Sequence, residues 1–248
     1  MTTHRFFLPT ECIQGDAVRL PDPVTHQIRR VLRMREGERI VVLDGSGKEF
    51  TVRLKGGCGG IIEGVSLNLA EPRTRITLYQ GLLKSARLEM LLQKCTEIGV
   101  YRFVPVLTKR SRVGDPGTAR RQRFEQIVRE AAEQSGRGIV PVIQETASLA
   151  QALRAAGLQG QIVIPWEEER GVSIQGVPLE LDVEIGLFIG PEGGFTCEEI
   201  EEARELGARV VSLGPRILRA ETAAMVASAL LLARLEGMDA TRSVPSVQ

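Results

Sequence analysis

The sequence predicts an α/β protein whose larger part carries a mostly parallel sheet and whose first seventy residues are β-rich. Three observations support this. From Arg75 onward, strand-like and helix-like segments alternate, the pattern of an α/β layer architecture. Before residue 72, short β-branched runs sit around glycine turns. Over 248 residues, 43% hydrophobic and 25% charged side chains give a chain able to bury a proper core.

In the first part, 39–44 (RIVVLD) and 48–54 (KEFTVRL) flank Gly45-Ser46-Gly47, a hairpin signal. Between the early strands, 26–35 (HQIRRVLRMR) spaces Ile28, Val31 and Leu32 at i, i+3, i+4. This spacing predicts a short helix with Arg29, Arg30, Arg33 and Arg35 largely outside. The run Gly56-Gly57-Cys58-Gly59-Gly60 breaks the strand pattern, and Glu71-Pro72 sets a domain boundary, giving 1–72 and 73–248. In the second part, strands are predicted at 76–83, 103–107, 140–143, 161–165, 184–189 and 209–213. Helices are predicted at 85–98, 119–135, 148–156, 197–206 and 221–235. The helix at 85–98 turns Leu88, Leu91, Leu92, Cys95 and Ile98 to one side; that at 119–135 turns Phe124, Ile127, Val128 and Ala131 inward. The final helix is apolar nearly all round, so it is either a buried core helix or a subunit seam.

Charge is distributed unevenly. Residues 1–72 hold ten Lys/Arg against nine Asp/Glu, residues 73–123 twelve against three, and residues 124–248 ten against nineteen. The formal net charge of +1 therefore conceals a basic middle beside an acidic end, and the basic middle fits a surface that meets phosphates. With only 4% aromatic residues, a sheet that stacks bases on rings is not expected. The four cysteines form no CxxC and have no histidine at ligand spacing, so neither a structural metal nor a disulfide framework is expected. Residues 223–233 form the longest apolar stretch, too short to span a bilayer. The expected location is the cytoplasm.

Two loops carry chemistry. The strand at 185–189 runs into Gly190-Pro191-Glu192-Gly193-Gly194-Phe195, and a helix follows with Thr196 as N-cap and Glu199 completing a capping box. Glycine turns at strand C-termini let a ligand approach the backbone. The helix opens with Glu198, Glu199, Glu201 and Glu202, a poor place for a triphosphate, and the chain has neither GxGxxG nor GxxxxGK[ST]. A neutral or cationic nucleoside ligand, such as S-adenosylmethionine, suits it better. The second loop, 212–224 (SLGPRILRAETAA), again joins a strand to a helix, and neighbouring strand ends would set the two loops side by side around one pocket. Within it Arg219 is the unusual residue, whereas Glu221 in a first helical turn is ordinary dipole complementation.

These loops, GPEGGF at 190–195 and SLGPRILRAETAAM at 212–225, resemble those of the RsmE-type 16S ribosomal RNA uridine-N3 methyltransferases of the SPOUT superfamily. The resemblance extends in order to RFF (5–7), HQIRRVLR (26–33), KSARLEMLLQKCTEIGV (84–100) and EAAEQSGR (130–137). It implies a PUA-like β-barrel for RNA over 1–72 and a SPOUT α/β domain with a trefoil knot over 73–248. It further implies a homodimer, S-adenosylmethionine as cofactor and the small ribosomal subunit's RNA as partner, with no membrane. The cofactor site is expected from Gly190, Pro191, Glu192, Gly193, Gly194, Leu213, Gly214, Ile217, Leu218, Arg219 and Ala224. Catalytic roles are expected for Arg219, which would stabilise the anion left when uridine N3 loses its proton, and Glu221, as base or as a group orienting Arg219. RNA contacts are expected at Arg5, His26, Arg29, Arg30, Arg33, Lys109, Arg110 and Arg112. Ala220 departs from the family, which often has threonine there. Two other readings are a superfamily methyltransferase for a different RNA position and a non-catalytic ribosome-assembly protein.

Overall fold

The computed structural model describes residues 4–236. Its contacts divide the chain into two compact units, one formed by residues 1–71 and 128–140, the other by 72–127 and 141–248.

The first unit contains β1 (Arg5–Phe7), β2 (Ile13–Gln14), β3 (Ala17–Arg19), α1 (Asp22–His26), β4 (Arg39–Leu43), β5 (Lys48–Leu54) and β6 (Gly59–Leu67). Its six-stranded sheet has the order β1-β4-β5-β6-β3-β2, with β1 parallel to β4 and the other pairs antiparallel. The β4–β5 hairpin turns through Gly45 and Gly47, both at positive φ. The longest strand, β6, begins inside the glycine run expected only to interrupt strands. A side chain at Gly60 would sit 2.4 Å from a Val52 methyl, so glycine there permits close strand approach rather than breaking it. The helix expected over 26–35 is also different. Chain 27–31 makes a π turn, with Leu32 N donating to Gln27 O at 2.9 Å, and the wider turn rotates Val31 outward, to 65% exposure, while Ile28 is fully buried. Its core packs Phe6, Leu8, Val18, Leu20, Ile28, Ile40 and Val52.

The segment 128–140, expected in the second domain, belongs to this unit because its polar groups are satisfied there. Phe7 N donates to Glu133 at 3.0 Å, and Asn68 Nδ2 donates to Gly136 O at 2.9 Å. Arg137, 3% exposed, forks onto Glu71, which also accepts from the Gly138 and Ile139 amides.

The second unit contains β7 (Ile76–Gly81), α2 (Ser85–Ile98), β8 (Arg102–Leu107), the first part of α3 (Gly117–Ser135), β9 (Val142–Ile143), β10 (Ala147–Ser148), α4 (Leu149–Gln159), β11 (Gly160–Pro165), β12 (Glu184–Ile189), α5 (Cys197–Glu205), β13 (Arg209–Val211) and α6 (Ala220–Glu236). The order is β10-β8-β7-β12-β11-β13, with β9 also on β8, and every pair is parallel. Strand alternation sends Tyr79, Val104, Val106, Ile162, Ile164 and Phe188 to the face covered by α4 and α5. Tyr79 and Phe188, cross-strand partners, stack at 4.3 Å. On the other face α2 packs with α6, and Leu88, Leu91 and Leu92 lie beside Phe103 and Pro105. Burial pushes the Cys95 thiol up to about 12, and all four cysteines are free. No described helix is long and apolar enough to cross a membrane.

Candidate active site

In a parallel sheet all strand C-termini point the same way, so the connections after β11, β12 and β13 emerge at one edge. The sequence placed the loops after β12 and β13 on neighbouring strands. The structure inserts β11 between them, and its exit segment 165–170 becomes a third wall.

The glycine turn after β12 is pinned throughout. Gly194 N donates to Pro191 O at 2.9 Å, closing a β-turn, and Gly194 has φ +68, a conformation that favours glycine. An added Cβ there would come 2.4 Å from the Glu167 carboxylate, whose flexible end would have to move away. Gly81 lies against Pro191 in the same way, with an added Cβ 2.4 Å from Pro191 N. Buried Gln80 donates to Gly190 O at 3.3 Å. At the far end the expected capping box forms: Thr196 N donates to Glu199 Oε2 at 2.8 Å and Glu199 N to Thr196 Oγ1 at 3.3 Å.

Between the walls lies a cleft of about 300 Å³, at the lower end of the ~300–1,000 Å³ range of small-molecule sites. Gly190, Pro191, Glu192 and Gly194 line one side, and Leu218, Arg219 and Ala223 the other. An adjoining cavity of about 80 Å³ is lined by Trp166, Leu213 and Gly214, and the two share Pro165, Glu167, Ile217 and Leu218. Ile217 is 85% exposed at the rim. The cleft lining carries the carboxylates of Glu167 and Glu192 beside the guanidiniums of Arg87 and Arg219, with Glu192 paired to Arg87, so it offers carboxylate oxygens to a cationic ligand without being acidic as a whole.

Several expected site residues sit elsewhere. Ala224 is fully buried, and one residue earlier on the helix Ala223 faces both cavities. Gly193 turns toward Arg110. Arg219 is exposed on the cleft wall. Glu221 points inward, 5% exposed, with Oε1 4.0 Å from Arg87 Nε and Oε2 lacking a partner. Arg87 in turn reaches Glu192 at 3.2 Å. Sequence reasoning missed Arg87, Gln80 and Glu167. The available signal for Glu167 was its position just past a strand end at the edge that already held both loops.

The expected RNA contacts divide into bound and free cations. Arg5 approaches Glu49 at 3.7 Å. Arg29 donates to Met34 O and Lys55 O at 3.1 and 2.6 Å, so it secures the π turn. His26, Arg30 and Arg33 are exposed. Lys109 lies 3.7 Å from Glu198 and remains 60% exposed, Arg112 is exposed, and Arg110 is hydrogen-bonded into the glycine turn. No group of residues that could hold a metal ion occurs among the described residues.

A fold with a PUA part and a glycine-lined cleft at the edge of a parallel sheet defines the class to which the comparisons point. An RNA methyltransferase domain model matches residues 70–232, and an RNA methyltransferase PUA domain model matches 20–57. The chain is 34% identical over 239 residues to ribosomal RNA small subunit methyltransferase E of Synechocystis sp., covering 94% of this chain and 78% of the relative. It is likewise 34% identical over 234 residues to the Bacillus subtilis protein of that name, covering 88% of each. A crystal structure of the Neisseria gonorrhoeae ribosomal RNA small subunit methyltransferase E bound to S-adenosyl methionine superposes with a TM-score of 0.86 at 33% identity, covering 93% of this chain and 97% of that one. The chain belongs to the ribosomal RNA small subunit methyltransferase E family.

Proposed function

We propose that this protein transfers the methyl group of S-adenosylmethionine to N3 of a uridine in 16S ribosomal RNA. The observation that carries the reading is the convergence of three strand-end segments on one glycine-lined cleft with Arg219 exposed on its wall. S-adenosylmethionine supplies a methyl group on a sulfonium, and transfer forms the N3–CH3 bond as the S–CH3 bond breaks. The cleft suits that donor: backbone accessible at glycines, apolar Leu218 and Pro165, and carboxylates at Glu167 and Glu192 for its positive charge.

Uridine N3 carries a proton at neutral pH, and its loss spreads negative charge to O2 and O4. The Arg219 guanidinium, with five donors and no partner among the described residues, is the group to face those oxygens. The N3 proton leaves to solvent water, and Glu221, turned inward beside Arg87, acts as an orienting group rather than as the base. RNA is held through phosphates by the exposed cations Arg30, Arg33, Lys109 and Arg112, with exposed His26 as a hydrogen-bonding neighbour and residues 1–72 as the RNA-binding domain.

Within the domain expected over 73–248, the unit formed by 72–127 and 141–248 is read as a trefoil knot. Support comes from the strand order, with β13 outside β11, and from the contacts of Ser212 with the loop before β12: Ser212 N donates to Val172 O at 2.7 Å and Ile174 N to Ser212 O at 3.1 Å. Beyond this crossing the chain reaches α6, packed on α2. A homodimer is supported by the half-buried flank of α6 at Met225, Val226 and Leu230, beside an inner face already covered.

The test combines labelled S-adenosylmethionine with small subunits or 16S RNA lacking the modification, followed by mass spectrometry of the nucleosides. The expected product is 3-methyluridine, and Arg219→Ala should lower kcat by ~10²–10³ with donor affinity nearly unchanged. A ribose-methylated nucleoside, or no product, contradicts the proposal.

A further inference from the structure

The cations of the segment after β8 were expected to meet RNA together, but the structure gives Arg110 a different partner. Thr108 to Ser111 form a closed turn: Ser111 N donates to Thr108 O at 3.1 Å and Thr108 N to Ser111 Oγ at 3.0 Å. That turn is fastened to the glycine loop. Lys109 N donates to Glu199 Oε1 at 2.7 Å, the same carboxylate whose other oxygen caps α5. Arg110 Nη1 donates to Gly193 O at 2.8 Å and to Phe195 O at 3.2 Å. The arginine stem lies across Gly193, where an added methyl would come 3.1 Å from Arg110 Cβ and 3.4 Å from Cδ. Glycine at 193 favours this packing through space and not through its φ, since a Cβ there would push the arginine stem aside by a few tenths of an ångström.

We propose that Arg110 is a positioning residue for the donor-binding turn and not an RNA contact. This deepens the function proposed above and rests on residues 190–195 binding S-adenosylmethionine. A guanidinium shared by the two carbonyls fixes the Gly193–Gly194 and Phe195–Thr196 peptides, which bracket Gly194, so the turn holds its shape before the donor arrives and less ordering cost falls on binding. A phosphate competing for that guanidinium would loosen the turn. Arg112, exposed two residues on, carries the phosphate role alone in this turn apart from the Lys109 ammonium.

The test uses the full chain and compares Arg110→Gln, Arg110→Lys and Arg112→Gln. Donor affinity is read by calorimetry with S-adenosylmethionine, and RNA affinity by titration with a 16S transcript over a range of salt. Arg110→Gln should weaken donor binding about tenfold or more, raise KM for the donor with kcat little changed, and leave the RNA salt slope intact. Arg110→Lys, which donates without the planar fork, should recover only part of the loss. Arg112→Gln should do the reverse, reducing the salt slope by about one with donor affinity unchanged. An Arg110→Gln protein with normal donor affinity and a salt slope reduced by about one would overturn the proposal. Should that variant fail to fold, Arg110→Lys decides: weaker donor binding with an intact slope supports it, and unaltered donor binding overturns it. If the unsubstituted protein itself binds no donor, the underlying functional reading fails, a result distinguishable from normal binding in both arginine variants.

Discussion

Arg29 and Arg30 are neighbours in a basic run, yet their surroundings give them different tasks. Arg29 donates to the carbonyls of Met34 and Lys55, whereas Arg30 and Arg33 project into solvent. Losing two charge-assisted hydrogen bonds from a half-buried side chain should cost Arg29→Gln about 1–2 kcal/mol of unfolding free energy, measured by denaturant titration. Arg30→Gln and Arg33→Gln should leave stability within about 0.5 kcal/mol and each lower the RNA salt slope by about one. The opposite allocation, with Arg29→Gln stable and weak on RNA, would show the run acting as one phosphate patch. Sequence identified these residues as basic, but a guanidinium's partner is set by which carbonyls the fold brings within 3 Å, and composition does not contain that. The same holds for Arg110, whose partners lie more than eighty residues away.

At the scale of elements, periodicity was informative where the backbone was regular. The helix at Ser85–Ile98, the strand at Glu184–Ile189 and the Thr196–Glu199 capping box all follow from local spacing or local hydrogen bonding. Reading failed where packing set the geometry: the π turn at Gln27–Val31 shifts the angular position of Val31, and β6 starts in glycines because Val52 and Arg53 crowd them. The second half of α3 is a related case, since its helical pattern is plain but its attachment depends on remote groups. There Glu133 accepts from Phe7 N, and burial holds its carboxyl above the usual range. A raised folded pKa favours the protonated form, so this contribution to stability is complete below the ordinary carboxylate pKa of ~4.3 and is lost as pH rises through the folded value. Glu133→Gln, always neutral and still able to accept from Phe7, should therefore gain stability relative to the parent as pH rises above the ordinary carboxylate pKa of ~4.3. Thermal midpoints across that rise check it, and a difference that shrinks with pH would mean the attraction of nearby Arg129 outweighs burial.

Across the whole molecule, charge asymmetry and the two glycine loops made the candidate site legible before any coordinates. What the sequence could not supply was strand order. Because β11 lies between β12 and β13, the cleft has three walls, and Glu167 enters it from the middle one. Glu167 and Glu192 set carboxylates on two of those walls beside Arg87 and Arg219, and the exposed cations elsewhere are the groups proposed to meet phosphates. The most direct test of this account is a calorimetric titration of the intact chain with S-adenosylmethionine, repeated with S-adenosylhomocysteine in competition. Saturable binding of the donor, displaced by the demethylated product and weakened when Gly194→Val fills the contact with Glu167, is the predicted result. A folded protein that takes up neither compound would contradict it.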